Sequence, residues 1–342
     1  MPADIGIAEL DRKWSHHVKK KETHSPDQLV SFYQEMLTYR RFEERVNLAY
    51  TQQKFSGFCH LHIGQEAVCV GVQAALQPDD YVIAGYRSHT LAIAKGIPAR
   101  EVFAELFGKV TGCSRGKGGS MHMFSKQHRF LGGHGIVGGQ APLAVGVGFA
   151  IQYRAEQNII VCYLGDAAMN QGQVFEAMNM AATWKLPVLF LIENNRYGMG
   201  TDIRRTTSVD RLSKRALAFD MAHSEVDGMN VLTLHTHVRD IVADMRKNPA
   251  PYLLEVMTYR YRGHSVSDPG AYRTKEEVQD YQKKDPILQL ASVLREKKLA
   301  GDKELAEWDE AIKAEVKKAE RFADESPAPE LAELWQHVLV ES

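Results

Sequence analysis

One stretch restricts the fold more than any other: IIVCYLGDAAMNQGQVFEAMNMAATWKLPVLFLIENNRYGMGT, from Ile159 to Thr201. Ile159 to Leu164 and Val188 to Ile192 are continuous apolar runs rich in β-branched residues, the pattern of strands buried on both faces of a parallel sheet. Between them, Gly172 to Trp184 contains no proline and sets Val174, Met178, Ala181 and Ala182 at helical spacing. A strand–helix–strand unit crosses over right-handed, so its strands are parallel. The expected fold class is therefore α/β, a parallel sheet flanked by helices. Asp166 and Asn195 then leave the sheet at one edge, the carboxyl ends of neighbouring strands, where open α/β sheets bind ligands.

A carboxylate, an amide oxygen and the free carbonyls of an irregular loop are hard oxygen ligands that suit Mg²⁺, with phosphate oxygens completing the shell. The helix that begins near Asn170 adds unpaired N–H groups that favour an anion. The same residues also suit a plain unit in which Asp166 caps a helix and Asn194-Asn195-Arg196 is a turn. Gly165-Asp166 followed by Asn194-Asn195 resembles the thiamine diphosphate motif. ENNRYGMGT, Glu193 to Thr201, resembles the α subunits of the E1 components of 2-oxo acid dehydrogenase complexes, the pyruvate type in particular. That family usually has glycine as the third motif residue, and here it is Ala167. Glycine is required only where φ is positive or a ligand comes too close for a Cβ, so the departure bears on packing and not on the metal ligands.

Lys plus Arg number 42 and Asp plus Glu 43 among 342 residues, so no global field draws the chain to nucleic acid or an acidic membrane. No apolar run approaches the roughly 20 residues of a membrane span. The opening MPADIGIAELDRKW has Asp4, Glu9 and Asp11 and no apolar core, unlike a secretory signal or an acid-poor transit peptide, and the expected location is cytoplasmic. Cys59, Cys69, Cys113 and Cys162 form no CxxC pair and read as reduced thiols. Residues 1–24 read as a flexible arm, and 25–342 as a single α/β domain with a C-terminal helical extension from about 274.

Ser25-Pro26 opens a long helix to about Gln53. His60 and His62 follow two apart, a pair that would share one face of a strand, yet no third ligand has metal spacing. Tyr81 to Gly85 is a short strand with Tyr86-Arg87 at its end, where a planar guanidinium could take two phosphate oxygens or pair with Asp79 or Asp80. Gly112 to Met123 is not a P-loop, because Gly118 stands where Ser or Thr is needed. Gly133 to Gly138 matches GxGxxG, but SKQHRFLG upstream does not read as a buried strand.

Asp202 to Ala216 reads as a flexible loop, Leu232 to Met245 as a helix and Tyr252 to Met257 as a buried strand. Tyr259 to Gly270 is a lid candidate at its end. The remainder is helical, interrupted at Pro286 and restarted by Asp302, with Leu305, Trp308, Ile312, Val316 and Ala319 as a buried stripe to about Asp324.

GFCHLHIGQEA and GKGGSMHMF resemble the same E1 α family. The resemblance implies the diphosphate-binding type of thiamine diphosphate fold. It implies Mg²⁺ on Asp166, Asn195 and the Tyr197 carbonyl, diphosphate contacts from Tyr86, Arg87 and His264, and backbone contacts to the aminopyrimidine at Gly135 and Val137. Gly165 and Ala167 line the cofactor, and His60 and His264 serve proton transfer. The serine matching Ser265 is a regulatory phosphorylation position in mitochondrial members. The implied activity is oxidative decarboxylation of pyruvate, the acyl unit passing to a lipoyl group of the E2 transacylase. Such enzymes use a second α/β domain with a ring-activating glutamate, expected here from a separate β subunit in an α₂β₂ heterotetramer. Three readings compete: acetoin or branched-chain 2-oxo acid enzymes, a nucleotide-dependent Rossmann dehydrogenase, which would require a strand before Gly133, and a catalytically dead relative that Ala167 allows.

Overall fold

The computed structural model describes residues 24–336 together with Val338 and Leu339. Apart from His24, the arm expected over 1–24 lies outside the described residues. In chain order the elements are α1 (Pro26–Thr51), α2 (Glu66–Gln73), β1 (Tyr81–Gly85), α3 (His89–Ala94), α4 (Ala99–Leu106), β2 (Phe130–His134) and α5 (Gln140–Tyr153). Then come β3 (Ile160–Gly165), α6 (Gly172–Trp184), β4 (Val188–Asn194), the short β5 (Tyr197–Gly198) and β6 (Thr201–Asp202), and β7 (Ala222–Asp227). The last are α7 (Val231–Lys247), β8 (Tyr252–Met257), α8 (Lys275–Gln282), α9 (Pro286–Glu296) and α10 (Asp302–Glu325).

The main sheet has six strands, all parallel, in the order β2-β1-β3-β4-β8-β7. From β1 the chain steps outward to β2, and from β3 outward to β4, so the strand order reverses between β1 and β3. Such a reversal opens a crevice at the carboxyl edge. Side chains alternate across the strands. Val161, Tyr163, Leu189 and Leu191 face one core with α1, α2 and α7, whereas Ile160, Cys162, Leu164, Val188 and Phe190 face a second core with α5 and α6. Both faces are covered, which is why β3 and β4 read as apolar runs and β8 as one interrupted only by Glu255.

Ser25 caps α1 through its hydroxyl, which accepts from the Gln28 N–H at 3.2 Å, while the Gln28 side chain accepts from the Ser25 N–H at 3.1 Å. The C-terminal helices pack back on α1, with Arg41 on Asp309 at 2.6 Å and Arg45 on Glu320. Leu305 and Val316 are buried there, with Trp308, Ile312 and Ala319 packed partly against the core.

The structure corrects several expectations. A strand does precede the Gly133–Gly138 run: β2 contains Gly133 itself. FLGGH hides it because β2 is an edge strand, and because Gly133 lies so near β1 that a Cβ would stand 3.1 Å from the Gly85 carbonyl and 2.5 Å from Ser88 Oγ. Asp202 to Ala216 is not a free loop, since 3₁₀ turns at Ile203–Arg205 and Leu212–Phe219 bury Leu212 and Ala216. Gly301, not Asp302, caps α10, and the Glu304 carboxylate accepts from its N–H at 3.0 Å. The lid candidate begins inside the core: Tyr259, Arg260 and Tyr261 are buried, and the Tyr261 and Val266 N–H groups bond the carbonyls of Ile63 and Cys59 at 3.0 and 2.9 Å. All four cysteines are free thiols.

Candidate active site

Five strand ends deliver the expected residues to one edge. Gly135 follows β2, Tyr86 and Arg87 follow β1, Asp166 follows β3, Asn195 follows β4, and His264 follows β8. Gly165 and Glu193 are register partners, so the acid and the asparagines emerge side by side.

Asp166 is 2 % exposed and its Oδ2 has no hydrogen-bond partner. Burial pushes its pKa up to about 6, while the N–H groups of Ala167 and Asn195 and the Arg260 guanidinium pull the other way. A buried carboxylate oxygen without a donor is costly, and a divalent cation relieves that cost. Asn194 and Asn195 form consecutive turns: their Oδ1 atoms accept from the N–H groups of Arg196 at 3.1 Å and Tyr197 at 3.3 Å. Arg196 accordingly sits at φ 73°. The turn that the sequence suggested is formed, and it is compatible with a metal-ligand role, since a carbonyl oxygen holding one N–H has a second lone pair left. The Tyr197 hydroxyl is taken by Glu277 at 2.9 Å, leaving only its main chain for the site.

His60, Tyr86 and His264 form one ring cluster, with centroids 4.4 Å apart for His60–Tyr86 and 5.1 Å for His60–His264. Arg87 clamps the two histidine segments, donating to the carbonyls of Leu61 and of His264, the latter at 2.9 Å. It does not pair with Asp80, whose carboxylate holds Arg246. His62 turns away from His60 and bonds Glu193 at 2.7 Å and Thr90 at 2.7 Å, so the two histidines form no metal pair. Among the described residues, no cluster of three His, Cys, Asp or Glu side chains is arranged to hold a metal.

Sequence reasoning missed four supports. Arg260 is 2 % exposed, meets only the Arg262 and Met199 carbonyls and the Tyr272 hydroxyl, and like Arg87 has no carboxylate partner among the described residues. Two guanidiniums, one buried and one half-buried, without a paired carboxylate suit an oxygen-rich anion. Glu255, buried within β8, takes the Asn194 amide at 2.7 Å and the Ser213 N–H at 2.8 Å. Glu193 holds His62, and Gln65 holds Asn195 at 3.2 Å. A charged residue inside an apolar strand, as at Glu255, was the one signal in the sequence.

His60 and His264 are held neutral. Burial, then the charge of Arg87, pushes His60 down to about 2, and burial, then Arg87 and Arg260, pushes His264 down to about 4. Both lie below the ordinary 6.5, so the unfolded chain takes up protons first as pH falls. Their stability contribution is complete above about pH 6.5 and declines below it, by at most about 1.4 kcal/mol per pH unit for each. Changing both to glutamine should flatten the fall in the urea midpoint between about pH 6.5 and about pH 4. An unchanged slope would show that other groups control it.

Ala167 meets its counterpart at Gly198, where an added Cβ would lie 2.4 Å from the Ala167 methyl. The methyl is therefore accommodated by a glycine on β5. Gly198→Ala should cost about 1–3 kcal/mol of stability through overpacking. Adding Ala167→Gly should restore it, which a double-mutant cycle by thermal unfolding checks; additive losses would sink the pairing.

The family model described as Dehydrogenase E1 component matches residues 34–332. The chain belongs to the dehydrogenase E1 family. Within this E1 family it is 49 % identical, over 92 % of its own length and 89 % of the relative's, to a protein of Zymomonas mobilis named pyruvate dehydrogenase E1 component subunit alpha. A Rhizobium meliloti protein of the same name is 48 % identical over 90 % of this chain and 89 % of the relative. The Sminthopsis macroura protein, named as the mitochondrial form, is 46 % identical over 90 % of this chain and 85 % of the relative. Among the described residues, no helix of this E1 chain is long and apolar enough to cross a membrane.

Proposed function

We propose that the chain is the α subunit of a pyruvate dehydrogenase E1 component, using thiamine diphosphate and Mg²⁺ to decarboxylate pyruvate and pass the acetyl unit to the lipoyl group of an E2 transacylase. One observation carries the reading: an unpartnered buried carboxylate at Asp166 shares the carboxyl edge with two guanidiniums, the buried Arg260 and the half-buried Arg87, that have no carboxylate partner among the described residues. That edge is built for a cation joined to an anion. Bound thiamine diphosphate would supply the electron sink that a 2-oxo acid needs to lose carbon dioxide.

Asp166, the Asn195 amide oxygen and the Tyr197 carbonyl would hold Mg²⁺, and Arg87, Arg260, Tyr86 and His264 the diphosphate. Backbone at Gly135 and Val137, with Gly165 and Ala167, would line the ring system. His60 and His264 each keep a buried Nδ1 without a hydrogen-bond partner, and as neutral rings they can accept or hold a proton beside the substrate.

A partner is implied by α5. Its outer face, Pro142, Leu143, Gly146, Phe149, Ala150 and Tyr153, is apolar and continues through Phe149 onto Trp184, with ring centroids 5.6 Å apart. We assign this face to a β subunit in an α₂β₂ heterotetramer, which would bring the second domain and its glutamate. The lipoyl domain of E2 would be the second partner, and the bacterial relatives favour the cytoplasm as location. The nucleotide-dependent reading loses support despite β2, because the one acid near the required distance, Glu156, lies in a surface turn beside Arg154. Calorimetric titration of thiamine diphosphate into the native assembly tests the proposal. Saturable binding should require Mg²⁺ and disappear with a chelator, and binding indifferent to the cation would refute the site.

A further inference from the structure

Gln65 stands at the start of α2, where its side chain makes no cap and instead reaches across to the asparagine turn. The Tyr197 N–H can only donate, so the Asn195 atom that faces it is oxygen. Asn195 Nδ2 must then face Gln65, which presents Oε1 at 3.2 Å. This fixes the polarity of both amides. It also leaves the Gln65 Nε2 hydrogens buried, in a fully enclosed residue, with no acceptor. Asp166 Oδ2 is the complementary case, a buried acceptor without a donor. The two do not bond each other, and buried polar groups rarely stay unpaired. A cation on the carboxylate, carrying oxygens in its own shell, would satisfy both.

We infer that Gln65 is a positioning residue for the cation: its oxygen holds the Asn195 amide so that Asn195 offers oxygen to the metal, and its N–H donates to an oxygen in the metal's shell. The inference rests on the proposed cofactor site. The shell oxygen belongs either to water or to phosphate, and the two sources separate experimentally.

The full chain with its native partner, stripped of metal and cofactor, is titrated with Mn²⁺ alone by electron paramagnetic resonance and with pyrophosphate in the presence of Mn²⁺ by calorimetry. Gln65→Leu, which removes both the acceptor and the donor, should weaken Mn²⁺ binding about 10–100-fold. Gln65→Glu keeps an acceptor for Asn195 while removing the donor, and guards against a Gln65→Leu protein that fails to fold. It should bind Mn²⁺ at least as well as Gln65→Leu and lose affinity about tenfold or more in the arm where the donor acts. Loss confined to pyrophosphate assigns the donor to phosphate, and loss in both arms assigns it to a metal-bound water. If Gln65→Leu binds both probes like the unaltered protein, the inference is overturned. If the unaltered protein shows no Mn²⁺-dependent pyrophosphate binding, the cofactor-site reading fails instead.

Discussion

Replacing Asp166 with alanine is expected to abolish cation-dependent binding of thiamine diphosphate while leaving the fold intact. The carboxylate is the only ionised side chain proposed for the cation. Losing one charged partner of a buried pair costs about 3–5 kcal/mol, two to three powers of ten or more in affinity. Without cation, however, the same carboxylate is a burden to the fold. Its pKa is pushed up from 3.8 to about 6, so ionisation is penalised in the folded chain. Its own contribution to the stability of the metal-free protein should therefore fall as pH rises from about 4 through about 6, opposing the trend set by His60 and His264. Asp166→Asn should unfold at an equal or higher temperature than the unaltered protein in chelator at about pH 8. Cofactor titration and thermal unfolding together check this, and a variant that lost stability as well as binding would make Asp166 a structural residue.

The chain purified alone should show no pyruvate turnover, and a single change on α5 should reproduce that loss within the intact system. From Gln140 to Tyr153 the helix carries no charged side chain, and its outward face is apolar except for Gln152, which bonds the Trp184 carbonyl. Gly146 lies on that face, and a Cβ built there meets nothing within 4 Å. Helix-interior glycine costs about 1 kcal/mol relative to alanine, so a glycine with open space around it has no local reason to be small. Close approach of another subunit supplies one. Gly146→Leu should fold normally, because its own chain leaves room, yet fail to co-purify with the β subunit and fall to background activity. Sedimentation of the unaltered and altered proteins reads this directly. A Gly146→Leu protein that still assembled would move the interface elsewhere, and a homodimer dispersed by the change would identify a second copy of this chain as the occupant.

Legibility in the sequence followed burial. Strands β3, β4 and β8 are covered on both faces, so their apolar runs were visible, and Asp166 and Asn195 could be placed at one edge from the crossover alone. Strands β2 and β7 lie at the sheet edges as FLGGH and AHSEVD, and neither carries a period or an apolar run. His60, Arg87 and His264 came from local motifs, and the fold brings His60 and His264 together although they are far apart in sequence. Gln65, Arg260 and the Glu193–His62 pair stayed hidden because their partners are tertiary: a glutamine before a helix looks like surface until Asn195 is beside it. The basic segment after Thr201 looked like a loop because its two buried apolar residues, Leu212 and Ala216, are too few to show a pattern.

The most direct test is release of carbon dioxide from carboxyl-labelled pyruvate by the chain co-purified with the proposed β subunit, with thiamine diphosphate and Mg²⁺ added or omitted. Turnover that requires both additions and both subunits is the expected result, with branched 2-oxo acids and acetoin as poorer substrates. Release that proceeds without thiamine diphosphate, or from the isolated chain, would contradict the assignment.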